Sequence, residues 1–374
     1  MKKLLLLLLL VLIGCSEPEP LNYGLLEERG GVHYRKDTNE IYSGLVFNID
    51  GKSEGTLKKG KFHGPYKTYH KNEQLEVERT FNNGELDGPY KIYYDNGQVH
   101  QEGTFNNGEL DGPYNLYYDN GQLHQEGTLN NGKQDGPYNL YYENGQLKEE
   151  GIFNNGKENG LFKLYYDNGQ LEVERTFNNG ELDGPYKIYY SNGHLKEEGT
   201  YTNGQRDKLV TYYENGRTKS EKTYKDGKLV GPYKIYYSNG KLKEEGTYYD
   251  WSPSPPTVLG SSKFDGLWKS YYKNGRLKSE RTYTNGKRDG PYTSYRSDGQ
   301  IEVARTFKDG SQISIKEFDY YDNGQLKEER TYKVDVYSRM VDVKTGLWKS
   351  YYEDGQLKYE ITFKNGEQVD FKTY

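Results

Sequence analysis

An all-β fold is predicted: an elongated array of antiparallel β-hairpins forming a twisted single-sheet ribbon. Three observations predict it. The stretch Gly88 to Asp111, GPYKIYYDNGQVHQEGTFNNGELD, returns with the same 24-residue length at Gly112, Gly136, Gly160 and Gly184, and a fixed period of this size signals repeat architecture. Each copy carries two Asn-Gly dipeptides at fixed offsets, as at Asn96-Gly97 and Asn107-Gly108. Between alternating apolar residues Asn-Gly is a strong hairpin signal, because a type I′ turn needs positive φ at both central positions. The third observation is compositional. The chain has 41 tyrosines and a net charge of only −5 on 29% charged residues. Tyrosine packs its ring and keeps its hydroxyl wet, which suits a thin structure without a deep core.

In chain order, residues 1–14 read as a signal peptide: Lys2 and Lys3 precede the apolar run Leu4 to Ile13. That run is too short for a spanning helix, which needs about 20 apolar residues. Its end, Leu12-Ile13-Gly14-Cys15, resembles the lipobox of bacterial lipoproteins, and Cys15 is the one cysteine of the chain. The resemblance implies acylation of Cys15, and several acyl chains suffice for stable anchoring. Ser16 after the cysteine favours the outer membrane in a cell that has one, and surface exposure is a further possibility. Residues 15–22, with Glu17-Pro18-Glu19-Pro20, read as a stiff tether. Residues 23–63 read as divergent capping repeats and 64–250 as repeats, although the unit at Lys208 has lost its Gly-Pro-Tyr. Residues 251–265 form a Pro/Ser-rich insertion loop, 266–332 further repeats, 333–345 a second insertion, and 346–374 a terminal repeat and cap. Both insertions precede the same heptapeptide, GLWKSYY, and fall in the turn between repeats.

Treating Asn96-Gly97 as a two-residue turn sets Asp95 against Gln98, Tyr94 against Val99, Ile92 against Gln101, Tyr90 against Gly103 and Gly88 against Phe105. Both glycines then lie opposite an aromatic ring, as in aromatic rescue. The second turn sets Phe105 against Leu110 and Gly103 against Gly112, on the same apolar face. On the other face Lys91 opposes Glu102 and Tyr93 opposes His100, as Lys234 opposes Glu245 and Tyr236 opposes Lys243 in a later unit. The recurring proline lacks an N–H and belongs at a strand start or bulge.

With Gly-Pro-Tyr, Tyr-Tyr-x-Asn-Gly and Glu-Gly-Thr-Phe-x-Asn-Gly in place from about Gly44 to the C terminus, the chain resembles the MORN repeat variant family. The resemblance implies a series of β-hairpins in an extended antiparallel sheet. Some bacterial members are classed as antitoxin components.

The residues give little sign of chemistry. The six histidines show no metal-ligand spacing, and His100, His124 and His194 occupy or adjoin one repeat position. Carboxylates recur periodically opposite lysines, which is the pattern of a solvated face. No nucleophile triad, P-loop or dinucleotide fingerprint is present, so neither an enzyme nor a cofactor is expected. With no run of Lys or Arg, nucleic acid is a poor partner. A ladder of one tyrosine per unit on the polar face, Tyr93, Tyr117, Tyr141, Tyr165 and Tyr189, is the candidate binding feature. Its rings suit an extended peptide or sugar rings, although shielding of neighbouring lysine stems explains them as well. The expected function is a membrane-anchored lipoprotein of the cell envelope that scaffolds another protein. Toxin neutralisation and cell-wall glycan binding are the alternatives.

Overall fold

A computed structural model describes residues 18–48, 51–249, 263–334 and 343–374. Cys15 and most of both insertions lie outside them. The chain divides into two compact units, Met1–Gly169 and Gln170–Tyr374. Each is a sheet in which consecutive strands pair antiparallel, with no α-helix among the described residues. The fold class is as the repeat period predicts: an all-β array of hairpin repeats.

The first unit opens with a small cap. Leu21–Asn22 pairs parallel with Gly44–Phe47, and the hairpin Leu26–Arg29/Val32–Arg35 forms a two-stranded sheet of its own. Leu26, Tyr42, Val46 and Leu57 are buried together, with Tyr23 and Phe62 against them. The buried His33 holds Gly60 O through Nδ1 at 2.8 Å and meets the Tyr23 hydroxyl through Nε2 at 2.7 Å. Neutral His33 satisfies both contacts if it carries its proton on Nδ1.

The two Asn-Gly turns of a repeat differ. Asn107 and Gly108 both have positive φ (49° and 86°) and close a two-residue type I′ hairpin, with Asn106 against Glu109. At Asn96-Gly97 only the glycine has positive φ (83°). There Gly97 N donates to Tyr94 O and Tyr94 N to Gln98 O, each at 2.8 Å. The loop is therefore Asp95-Asn96-Gly97, a three-residue hairpin ending in a left-handed glycine, and the expected two-residue turn is corrected. Lengthening this loop moves the register next to it. Ile92–Gln101, Tyr90–Gly103 and Gly88–Phe105 pair as expected, but Tyr93 meets Val99 and the strand bulges at His100. His100 accordingly stacks on Tyr94, centroids 4.4 Å apart, instead of facing Tyr93. In the later unit Tyr236 likewise pairs with Leu242, while Lys243 lies over Tyr237 at 5.8 Å.

A second bulge follows the type I′ turn. Phe105 pairs with Leu110, but Glu102 pairs with Asn115, so Asp111 to Tyr114 lie against Gly103 and Thr104. Gly103 therefore does not meet Gly112. Two extra residues on one strand leave both faces unchanged, which is why the apolar face survives the shift. Gly88 sits in such a bulge with φ +122°, and its missing Cβ would meet Thr80 at 3.0 Å. Its role is backbone conformation, not the ring cover expected from its pairing with Phe105. Where this glycine is replaced by Lys208, Ser314 or Asp370, the bulge shrinks to one extra residue. Pro89 occupies the bulge and its carbonyl accepts the Thr80 hydroxyl at 3.0 Å. The insertions replace type I′ turns, since Tyr249 pairs with Lys263 and Lys333 with Val343. The strand Lys263–Tyr271 thus begins inside the stretch read as loop.

The apolar face is a row of rings. Tyr90 packs on Phe105 at 4.9 Å, Phe153 on Phe162 at 5.4 Å, Tyr248 on Phe264 at 4.6 Å and Trp348 on Phe363 at 4.7 Å. Such pairs each contribute about 0.5–1.5 kcal/mol beyond area burial. At Gly103 a Cβ would stand 2.9 Å from the Tyr90 ring, so this glycine does lie under an aromatic. Gly151 is covered in the same way by Phe162, which is fully buried. Gly151→Ala is expected to lower stability by about 1–3 kcal/mol through overpacking, read as a fall in urea midpoint. An unchanged midpoint would remove the close-approach explanation.

Candidate functional site

The polar face and the turn edge carry the most regular polar chemistry in the molecule. On the polar face Lys91 Nζ lies 2.9 Å from Glu102 Oε2, while Tyr117 and Asn115 donate to Glu102 Oε1 at 2.7 and 3.2 Å. The next units repeat the contact. Tyr141 donates to Glu126 at 2.6 Å, Tyr165 to Glu150 at 2.7 Å, and in the second unit Tyr189 to Glu174 at 3.1 Å and Tyr236 to Glu221 at 2.7 Å. Every ladder tyrosine is half-buried. The ladder is thus regular, and four of its five hydroxyls bind a carboxylate of the preceding hairpin. Burial, then the Glu78 carboxylate, raises the pKa of the fifth, Tyr93.

The second tyrosine of each Tyr-Tyr pair does work that the sequence pattern did not reveal. Tyr94 donates to Tyr117 O at 2.7 Å, Tyr118 to Tyr141 O at 2.8 Å and Tyr142 to Tyr165 O at 2.7 Å. In the second unit Tyr213 reaches Tyr236 O at 2.7 Å and Tyr237 reaches Tyr271 O at 2.8 Å. The turn asparagines form a parallel row. Asn96 Oδ1 accepts Gln98 N at 2.9 Å and fixes its own turn, while Asn96 Nδ2 donates to Asp119 O in the next turn at 2.8 Å. The rows pass the insertions without a break, because Asn239 reaches Lys273 O and Asn323 reaches Glu353 O. At the first repeat His70 takes the tyrosine's part, its Nε2 lying 3.1 Å from Tyr93 O. The sequence signal for this row is the doubled tyrosine itself, whose second member the alternation scheme sets against Val99 within its own hairpin.

Among the described residues no group of three or more His, Cys, Asp or Glu is placed to hold a metal ion. None of their helices is long and apolar enough to cross a membrane. A hollow of about 230 Å³ opens on the apolar face between Arg79, Tyr90, Ile92 and Phe105, below the ~300–1,000 Å³ of typical small-ligand pockets.

These contacts set a pH window. Hydrogen bonds from Tyr117, Lys91 and Asn115 hold the Glu102 carboxyl down to about 2. Burial, then the hydrogen bond to glutamate, pushes Tyr141, Tyr212, Tyr236 and Tyr295 up to about 12. A raised tyrosine stabilises the fold while the unfolded chain keeps its proton, and that stability is lost as pH climbs from near 10 through 12. The depressed Glu102 acts in the opposite direction, its contribution disappearing as pH falls from near 4.5 through 2. Chemical denaturation should therefore give a plateau between about pH 5 and 9, with the alkaline fall reduced in Tyr141→Phe. Tyr117→Phe should cost about 1 kcal/mol at neutral pH for the lost bond to a carboxylate, and no loss would contradict its placement.

The match to a family of repeats agrees with this geometry. The sequence profile of the MORN repeat variant family matches eleven segments, from residues 62–83 to 344–365. No curated protein matches the chain. Among solved structures it is similar to a TcdB2-TccC3-Cdc42 crystal structure at 13% identity, covering 90% of this chain and 20% of that one, with TM-score 0.19. The Photorhabdus luminescens Tc holotoxin pore with a mutated TccC3 is similar at 12% identity, 90% and 20% coverage, with TM-score 0.19. The chain thus spans about a fifth of the length of these structures. Repeats of the matched kind commonly mediate protein interactions. Matched over more than half its length, and built of the hairpins those segments delimit, the chain belongs to the MORN repeat variant family.

Proposed function

We propose that this protein is a lipid-anchored repeat lipoprotein that scaffolds another protein at the bacterial cell envelope, in the outer membrane where the cell has one. The observation that carries the anchor is Cys15, the single cysteine of the chain, placed directly after Leu12-Ile13-Gly14 and a lysine-led apolar run. Acylation there gives the two-signal attachment that stable anchoring requires. Support for the scaffold comes from the family's interaction repeats and from regular faces that offer a partner many equivalent contacts. An immunity role against an envelope-acting toxin is a special case of the same reading, with the toxin as partner.

The tyrosine ladder supports a second reading, a glycan or peptide site. Tyr117, Tyr141 and Tyr165 are held by glutamates at one ring per repeat, so their faces are fixed in advance of binding. Pre-ordered rings bind at lower entropic cost.

In detergent phase partition the wild-type chain is expected in the detergent phase and Cys15→Ala in the aqueous phase. A Cys15→Ala chain that stays with membranes would rule out the anchor. Photo-cross-linking from repeat positions should give one protein adduct of defined mass. Retention on purified wall polysaccharide without any protein adduct would favour the ladder's glycan role instead.

A further inference from the structure

The apolar face carries one departure from its own rule. At the position held by Gly103, Gly127 or Gly151 in other repeats stand Arg79, Arg175, Arg281, Arg305 and Arg330. Alone, such an arginine is a ring cover: Arg79 lies over Tyr66 at 5.9 Å. In the second unit the residues cluster. Arg281 stacks on Trp268 at 3.5 Å, and Arg305 lies 5.7 Å from the centroid of Tyr292. Register pairs Tyr292 with both Arg281 and Arg305. A third guanidinium, Arg288, approaches the same Tyr292 ring at 6.0 Å and Phe307 at 5.3 Å.

Two other arginines of this unit have a carboxylate. Arg330 pairs with Asp319 and lies 3.8 Å from Glu328, two residues before it. Arg206, at the repeat position of Arg288, lies 3.4 Å from Glu197. In the cluster the positions two residues before Arg281 and Arg305 are Ser279 and Val303. Among the described residues none of the three arginines is ion-paired; the Nε of Arg281 and of Arg305 reaches no acceptor, as is also true of Arg79 and Arg330. Of the acidic groups nearby, Glu302 accepts the Ser294 hydroxyl at 3.1 Å, Glu317 pairs with Val303 one strand further on, Asp289 binds Lys308 at 3.2 Å and Glu280 accepts the Tyr295 hydroxyl at 2.7 Å.

Two guanidiniums at the Tyr292 ring, with that of Arg281 on Trp268 in the neighbouring strands, repel each other, and their aromatic platforms keep them partly dry, where charge is least screened. Their planar forks match carboxylates, and the half-buried Tyr292 ring between them offers a face to an apolar side chain. We propose that this face binds an acidic segment of a partner protein, one that carries Asp or Glu interspersed with aromatic or aliphatic residues. The proposal rests on the scaffold reading and names its partner chemistry. Trp268 and Phe307 are buried beneath the cluster, but Tyr292 is only half-buried; a phosphate polymer would use the charges and leave that ring unused, so charge complementarity together with Tyr292 favours the peptide.

The test is fluorescence anisotropy with the full chain and a labelled peptide alternating Glu or Asp with Phe or Leu. Saturable binding that weakens as salt rises is expected. Arg281→Gln with Arg305→Gln should raise Kd about tenfold or more. The paired Lys variants should retain part of the affinity, and Arg79→Gln in the other unit should leave it unchanged. Circular dichroism of each variant separates lost binding from lost fold. No saturable binding, binding indifferent to the arginines, or polyphosphate and phosphatidylglycerol vesicles binding more tightly than the peptide would each overturn the proposal. If the Gln variant still gives the wild-type cross-linked adduct, the arginine site falls and the scaffold stands. If the peptide binds but no adduct forms in cells, the scaffold reading is what fails.

Discussion

The hydrogen-bonded turn edge is the contact on which the rest of this fold depends. A single-layer sheet has no opposing layer to bury its face, so each hairpin must be held by its neighbours in sequence. Backbone ladders do part of this. The remainder comes from Tyr94, Tyr118 and Tyr142, which reach over the next turn, and from asparagines such as Asn96, which satisfy their own loop and the following one together. These bonds use atoms that would otherwise face water at a sheet edge, and each repeat supplies the acceptor for the one before it. Insertions are tolerated because they enter at the opposite, type I′ turn, which carries none of these bonds.

With the edge secured, each face is free to specialise. The polar face ties tyrosine hydroxyls to glutamates and glutamates to lysines, so its charges help to fix register. The apolar face is covered by rings over bare backbone, and an arginine can replace a glycine because its guanidinium lies over a neighbouring ring. One substitution pattern therefore produces two results. A lone arginine such as Arg79 stays structural, whereas Arg281 and Arg305, joined by Arg288 from the strand between them, make a cationic aromatic surface.

Much of this was legible in the residues. The repeat period, the paired glycine and ring at Gly103 and Tyr90, and the Lys91–Glu102 pair follow from alternation about an Asn-Gly turn. What alternation could not supply was the difference between two identical dipeptides. Asn107 enters the left-handed region, while Asn96 stays out of it and uses its side chain to cap Gln98 N. That choice adds one loop residue, bulges the strand at His100 and moves it from Tyr93 to Tyr94. The Gly-Pro bulge was equally hidden, because two extra residues preserve face parity and leave no trace in the hydrophobic pattern. Of the candidate ladder the sequence showed the spacing but not the glutamates that hold it, which come from the preceding hairpin.

Hydrogen exchange on the full chain carrying Tyr118→Phe and Asn120→Ala tests the turn-edge coupling most directly. The account predicts faster exchange in the strands flanking the turn that accepts the lost bonds, Lys133–Tyr141 and Leu147–Asn154, with protection in Lys287–Tyr295 unchanged. Wild-type protection in those two neighbouring strands would show that backbone pairing alone holds the repeats together, and would contradict it.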